Sequence, residues 1–244
     1  MILFDSKLNP MDVINNSQKS FLIVDDHPIN VDSYHALLKK IKRYEKSNYL
    51  FAYDCEQAFN TINNNYLNEK AIDFALIDIS LPAYEDKKLY SGSDVAVYIR
   101  QKFSNCKIII ISMHKEPLWV NQIIKELNPE GFIAKSDINY KCFPEIFKCI
   151  EESEIYLSQS IVLAQKILIQ KNINWDNYDS KILQLIADGI KTINLPKFIP
   201  LSLSAIEKRK SNIKKQLVLE DATDKELIDS AKKMGFVNRQ QKVD

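Results

Sequence analysis

Five short apolar runs, Phe21–Val24, Leu50–Tyr53, Phe74–Ile77, Ile108–Ile111 and Phe132–Ala134, are separated by helix-length amphipathic stretches. Runs of this length with little polar alternation predict strands covered on both faces, and the alternation with helices predicts crossover units around a parallel sheet. The intervening helices are expected from about Pro28 to Ile41, Glu56 to Leu67, Asp94 to Phe103, Pro117 to Leu127 and Ile138 to Ile150. Pro28 and Pro117 suit first-turn positions, where no amide hydrogen bond is lost. From about Ser153 no strand pattern returns, and Ile161–Ile169 reads as a connecting helix with one apolar side. Helical segments follow at Asp179–Ala187, ending at Gly189, then at about Leu195–Ile199, Ser202–Leu217 and Thr223–Met234. Thr223 with Glu226 has capping-box spacing, and Gly235 supplies a left-handed stop. The pattern divides the chain into an N-terminal extension (1–19), an α/β domain (20–152), a linker helix (153–174) and an all-α domain (175–244).

The 244 residues are 45% apolar and 27% charged, the balance of a soluble globular protein, and no apolar run approaches the ~18 residues of a membrane span. The first twenty residues lack the basic start and apolar stretch of a secretion signal, so a cytoplasmic address without a membrane partner is the default expectation. Charge is uneven: residues 1–152 carry 18 Lys/Arg against 21 Asp/Glu, or −3, whereas residues 153–244 carry 15 against 11, or +4. The two halves are expected to meet different partners. Glycine occurs only at positions 92, 131, 189 and 235, too sparsely for the clustered glycines of a P-loop or a dinucleotide fingerprint. Cys55, Cys106, Cys142 and Cys149 form no C-x-x-C pair, and His27, His35 and His114 form no H-E-x-x-H. Disulfide frameworks and zinc sites are therefore disfavoured.

In a parallel sheet with helical crossovers every strand ends on the same edge, where ligands bind. The strand ends are Asp25–Asp26, Asp78 and Ser112, with Lys135 after the fifth strand. Three converging carboxylates repel one another unless a cation joins them. A hard divalent ion is the economical answer, and Mg2+ in particular takes a few carboxylates plus a phosphate oxygen. A lysine and a hydroxyl remain to hold the other oxygens of a phosphoryl group moving onto a carboxylate. Singly, each feature has a plainer meaning: Asp25–Asp26 as a helix cap, Ser112 as a turn hydroxyl, Lys135 as a loop charge. Asp78 is harder to dismiss, because it follows Phe74-Ala75-Leu76-Ile77 directly, where an ionised side chain is costly without partners.

The stretches Phe21–Pro28, Phe74–Pro82, Ile108–Glu116 and Gly131–Ser136 resemble the four signature segments of a response-regulator receiver domain, and the Ser-Met-His segment is most like the NarL/FixJ branch. The resemblance implies a flavodoxin-like domain with parallel sheet order 2-1-3-4-5, followed by a helix-turn-helix domain. It implies that Asp78 accepts a phosphoryl group from a histidine kinase, with Asp25, Asp26, Asp78 and the Ser80 carbonyl on the Mg2+ side. Lys135 would pair with a phosphoryl oxygen, and Ser112 and Phe132 match the hydroxyl and aromatic positions whose coupled movement reports phosphorylation. Between Pro82 and Gly92 the chain carries about six residues more than this family usually has. That insert, with Tyr84, Glu85, Asp86, Lys87 and Lys88, borders the pocket, and it either shields the aspartyl phosphate, contacts the kinase, or is a neutral surface loop. A haloacid-dehalogenase-type phosphatase would also use Mg2+ and a lysine, but it needs a second aspartate two positions after the nucleophile, where Ser80 stands.

Asp179–Leu217 resembles the helix-turn-helix of LuxR-type output domains. At 100° per residue Ile206, Ile213 and Leu217 share one side of the third helix and face inward, while Glu207, Lys208, Ser211, Asn212 and Lys215 share the other. That outer face fits a major groove, with Lys208 and Ser211 toward bases, Lys214 and Lys215 near phosphates, and Ser204 at the leading turn. The plainer alternative is a solvated helix in a small bundle. Glu207 stands where the family commonly has lysine; it either accepts from a cytosine amino group or closes a capping box with Ser204. Pro196 replaces the usual alanine, so the scaffolding helix is expected to start near Asn194. The last helix, with Leu227, Ile228, Ala231 and Met234, resembles the one that pairs output domains in this family, placing a homodimer on half-sites ~10 base pairs apart; it also closes the domain's own core, or serves only one of these roles.

Overall fold

The computed structural model describes residues 18–170, 173, 175–217, 219 and 221–237. The proposed N-terminal extension lies almost wholly outside the described residues, as does the end of the last domain after Val237. Alternation begins at β1 (Ser20–Val24) and α1 (Pro28–Lys39), then β2 (Asn48–Ala52), α2 (Cys55–Leu67), β3 (Phe74–Asp78), α3 (Gly92–Lys102), β4 (Lys107–Ser112), α4 (Pro117–Leu127), β5 (Gly131–Ala134) and α5 (Phe143–Glu151). All strand pairs are parallel. The two-residue period of the strands splits their side chains into two cores. Phe21, Ile23, Phe74, Leu76, Ile109, Ile111 and Ile133 pack against α1 and α5, through Val31, Tyr34, Leu38, Phe143, Ile146, Phe147 and Ile150. Leu22, Val24, Ala75, Ile77, Ile108, Ile110 and Phe132 pack against α2, α3 and α4.

A sixth strand, β6 (Tyr156–Leu157), joins the five expected, pairing Gly131 with Tyr156 and Phe132 with Leu157. The sheet order is β2-β1-β3-β4-β5-β6. The segment after Ser153 is thus not simply a linker: helix α6 (Gln159–Gln170) buries Ile161 and Ala164 in the sheet core beside α4. Helix α5 starts at Phe143, not Ile138, because the Asn139 side chain accepts the Lys141 and Cys142 amides and holds a turn there. Lys135–Asp137 forms a 3-10 turn.

The last domain comprises α7 (Asn177–Ala187), a 3-10 segment at Thr192–Lys197, α8 (Leu203–Gln216) and α9 (Asp224–Lys233). The scaffolding segment is a 3-10 turn beginning at Thr192 rather than an α-helix beginning near Asn194, with Pro196 inside it. Proline contributes no amide and disfavours α-helical dihedrals in the residue before it. Ser202, not Ser204, caps α8 by accepting the Ala205 amide, so no capping box joins Ser204 to Glu207. The Thr223–Glu226 capping box is present, and Gly189 and Gly235 hold φ of 87° and 71°. Ile206, Ile213 and Leu217 face inward and join Ile182, Leu183, Leu195, Leu227 and Ala231 in one core. Leu168 of α6 and Leu118 of α4 enter that same core. No described helix is long and apolar enough to cross a membrane.

Candidate functional site

Asp25, Asp78 and Ser112 sit at or just past the ends of β1, β3 and β4, and each is almost completely buried. Lys135 follows β5, and its Nζ lies 2.7 Å from Asp78 Oδ2 and 2.8 Å from Asp25 Oδ2, bridging the two acids. Asp25 Oδ1 accepts the His27 amide at 3.0 Å and the Asn30 amide side chain at 2.9 Å. Asp78 Oδ1 accepts the Ser80 amide at 3.3 Å. Burial pushes the Asp78 carboxyl above its ordinary value, with the Lys135 ammonium opposing that shift. Burial opposes the charge on Lys135, yet the Asp25 and Asp78 carboxylates outweigh it and raise its pKa.

Asp25 Oδ2 is buried, and its close partner is the Lys135 ammonium at 2.8 Å. A buried carboxylate oxygen whose close partner is a cationic side chain suits a hard cation in the same position. Asp25, Asp26 and His27 present ligand atoms within 4.8 Å of one another, the one such group among the described residues. The sequence reading paired Asp26 with Asp25 but passed over His27, whose Nδ1 lies 2.6 Å from Asp26 Oδ1. Ser80 is exposed beside the pocket. Burial pushes the Cys55 thiol up to about 11 and Cys106 to about 12, leaving both as core atoms rather than nucleophiles.

Ser112 Oγ accepts the His114 amide at 3.0 Å, at the start of the loop into α4. Phe132 is fully buried, with its ring 5.8 Å from that of Trp119, which itself lies 5.3 Å from the His114 ring. The hydroxyl and the aromatic are thus linked through α4. Gly92 was given no role by sequence reasoning, yet a Cβ there would lie 1.8 Å from the Asp78 carbonyl oxygen. The insert is ordered: Tyr84 and Leu89 exchange backbone hydrogen bonds of 2.7 and 3.1 Å, Leu89 is buried, and Tyr84 packs edge-on against Phe59. Its charged tip, Glu85–Lys88, is exposed.

On α8, Ser204, Glu207, Lys208, Ser211, Asn212 and Lys215 are exposed. Lys208, Ser211, Asn212 and Lys215 line one shallow groove. Lys214 differs from its neighbours: it is only 17% exposed and donates to the Ala222 carbonyl near Asp224. Arg209 is held by Asp179 and Asp176, each at 2.9 Å. Arg209 and Asn212 also edge a cleft of about 710 Å3 whose opposite wall is Asn121, Gln122 and Lys125 of α4. Leu227, Ile228 and Ala231 of α9 are buried in the domain's own core, one of the two roles expected of this helix.

Acids and a lysine thus gather at the carboxyl edge of a doubly covered parallel sheet, the arrangement expected of a receiver domain. Residues 21–139 match the response regulator receiver domain. Among particular proteins, the chain is similar to transcriptional regulatory protein RcsB of Salmonella typhi, 23% identical over 207 residues covering 83% of this chain and 89% of the relative. The Escherichia coli (strain K12) RcsB is 23% identical over 205 residues, covering 82% and 88%. Two solved structures share the fold: two RcsB dimers bound to two parallel DNAs (20% identity, TM-score 0.59) and Salmonella enterica serovar Typhimurium RcsB bound to a promoter in the presence of phosphomimetic BeF3− (20% identity, TM-score 0.60). Each covers 88% of this chain and 98% of the other.

Proposed function

We propose that this chain is a cytoplasmic DNA-binding transcriptional regulator whose Asp78 is phosphorylated by a histidine kinase, with phosphorylation favouring a homodimer and DNA binding. The observation that carries this reading is the Lys135 bridge between Asp78 and Asp25, in a chain that also bears an exposed basic helix-turn-helix face. An Asp78 carboxylate oxygen attacks phosphorus, the bond to the donor histidine nitrogen breaks, and an acyl phosphate forms. Lys135 orients and neutralises a phosphoryl oxygen. Mg2+, which receiver domains typically take at their acidic site, would be held by Asp25, Asp26, Asp78 and the Ser80 carbonyl and would offset the charge of the phosphoryl oxygens. The protein turns over no external substrate; the acyl phosphate is lost only by slow hydrolysis.

The output is a population shift rather than a catalytic cycle. Ser112 and Phe132 communicate with α4 through His114 and Trp119, and α4 faces the Asn212 edge of α8 across the interdomain cleft. Lys208 and Ser211 read bases with Ser204, Glu207 and Asn212 around them, Lys215 meets phosphate, and Lys214 acts mainly by holding the start of α9. Exposed Lys191 and Lys197, on the segment that crosses the backbone in such motifs, extend the phosphate-binding surface. The relatives' DNA complexes support this assignment at the level of fold. The test is labelling of the full chain by a small acyl phosphate with Mg2+: Asp78→Asn abolishes it, and undiminished labelling of that variant overturns the assignment.

A further inference from the structure

The turn that carries Lys135 is fastened to helix α6. Asp137 closes this 3-10 turn, and its Oδ2 accepts the Ser160 amide at 2.7 Å while Oδ1 accepts the Ser160 hydroxyl at 2.8 Å. One step back, the Ser158 hydroxyl, almost fully buried, accepts the Ala134 amide at 3.0 Å. The pairing of β6 with β5 continues through Tyr156 N to the Glu130 carbonyl at 2.9 Å and Ser158 N to the Phe132 carbonyl at 3.0 Å. Partial burial pushes the Asp137 carboxyl up, but the Ser160 amide and the Ser158 and Ser160 hydroxyls outweigh it and hold the group below the usual carboxylate range. Helix α6 then buries Ile161 and Ala164 in the sheet core, and its far end buries Leu168 in the output core. A twelve-residue helix spans ~18 Å. One helix therefore has one end bonded to a residue two positions from the phosphoryl-binding lysine and the other inside the output-domain core.

We propose that Asp137 is a positioning residue that couples Lys135 to helix α6, transmitting the phosphorylation state of Asp78 to the output domain along the β6–α6 segment. The inference rests on Asp78 being the phosphoacceptor. In the unphosphorylated arrangement the Lys135 ammonium spans Asp78 and Asp25. A phosphoryl group on Asp78 offers it new anionic oxygens, and the ammonium re-aims toward them. A three-residue turn has little slack to absorb that movement, and its last side chain is bonded to the first turn of α6. Coupling of this kind is reciprocal: whatever fixes α6 also fixes Lys135 and readies the pocket. The sheet pairing and the buried face of α6 make this segment a stiff lever instead of a loose tether. If Asp137 only capped α6, its loss would lower stability and leave the response to the phosphoryl group intact.

The test uses the full-length chain with beryllofluoride and Mg2+, comparing wild type, Asp137→Ala and Asp137→Asn. Pocket binding is read by fluorine NMR, and amide hydrogen exchange is read over Ile161–Leu168. In the wild type, beryllofluoride changes exchange in α6. In Asp137→Ala that change is lost and beryllofluoride affinity falls about tenfold, within the usual range of coupling between sites. Asp137→Asn keeps an acceptor for the Ser160 amide and restores both. A full α6 response in Asp137→Ala, with only a lower melting temperature, overturns the coupling while leaving the Asp78 assignment standing. A wild type whose pocket fails to bind beryllofluoride overturns both.

Discussion

Replacing Gly92 with alanine is the most direct probe of how the site is built. The added Cβ would lie 1.8 Å from the Asp78 carbonyl oxygen and 2.9 Å from Ile79 Cα, whereas ordinary contact begins near 3.4 Å. The shortfall at the oxygen is 3.4 − 1.8 = 1.6 Å. Both partners are backbone, so no side chain can rotate away. Either α3 lifts off, breaking the 2.9 Å hydrogen bond from the Gly92 amide to the Ile79 carbonyl, or the end of β3 moves with Asp78. Overpacking of this kind costs about 3 kcal/mol, the upper end of the usual range. A shift of about 1 Å next to the nucleophile lowers phosphoryl acceptance on the order of 100-fold. Urea unfolding followed by circular dichroism reads the first effect, and initial labelling rates with a small acyl phosphate read the second. Gly189→Ala is the control: a Cβ there meets nothing within 4 Å, so the φ of 87° leaves backbone strain alone and labelling is unchanged. Wild-type labelling and stability in Gly92→Ala would refute the reasoning.

Arg209→Ala leaves Asp179, 6% exposed, without its ion-pair partner, and should destabilise the output domain by about 3 kcal/mol in chemical denaturation. Partial burial pushes Asp176 up, but the Asp179 amide and the Arg209 guanidinium outweigh it, so its carboxyl lies below its ordinary value. Its stabilising contribution is then complete above an unfolded pKa of about 3.9 and disappears as pH falls through the lowered native value, which melts taken from about pH 5 downward would follow. Replacing Lys208 and Lys215 together by alanine should weaken duplex binding and reduce the slope of log affinity against log salt by about 1, the share of the phosphate-facing Lys215. Glu207→Lys should steepen it by about 1 in the same assay; unchanged slopes would remove this face from the phosphate contacts.

Five strands and the edge residues Asp25, Asp78, Ser112 and Lys135 were readable from the chain, because a parallel sheet puts all its strand ends on one edge and the apolar runs mark where those ends fall; the strand order came from the family resemblance of the four signature segments. The inward side of α8 followed from helical periodicity alone. Other features carry no such signal. Strand β6 is two residues long and exists only because β5 offers an unpaired edge beside it. Asn30 and His27 gained partners through the turn into α1. Gly92 is one glycine in a chain with four, and its necessity appears only when α3 meets the back of β3. Lys214 and Lys215 are indistinguishable as letters, yet one points at the Ala222 carbonyl and the other at solvent. Local pattern thus determined the elements and the chemical types at the sheet edge, since hydrophobic period and strand direction are properties of short segments. The tertiary structure decided the sixth strand, the Lys135 bridge, the Asp137 clasp and the fate of each output-domain cation, since those depend on distances between segments remote in sequence.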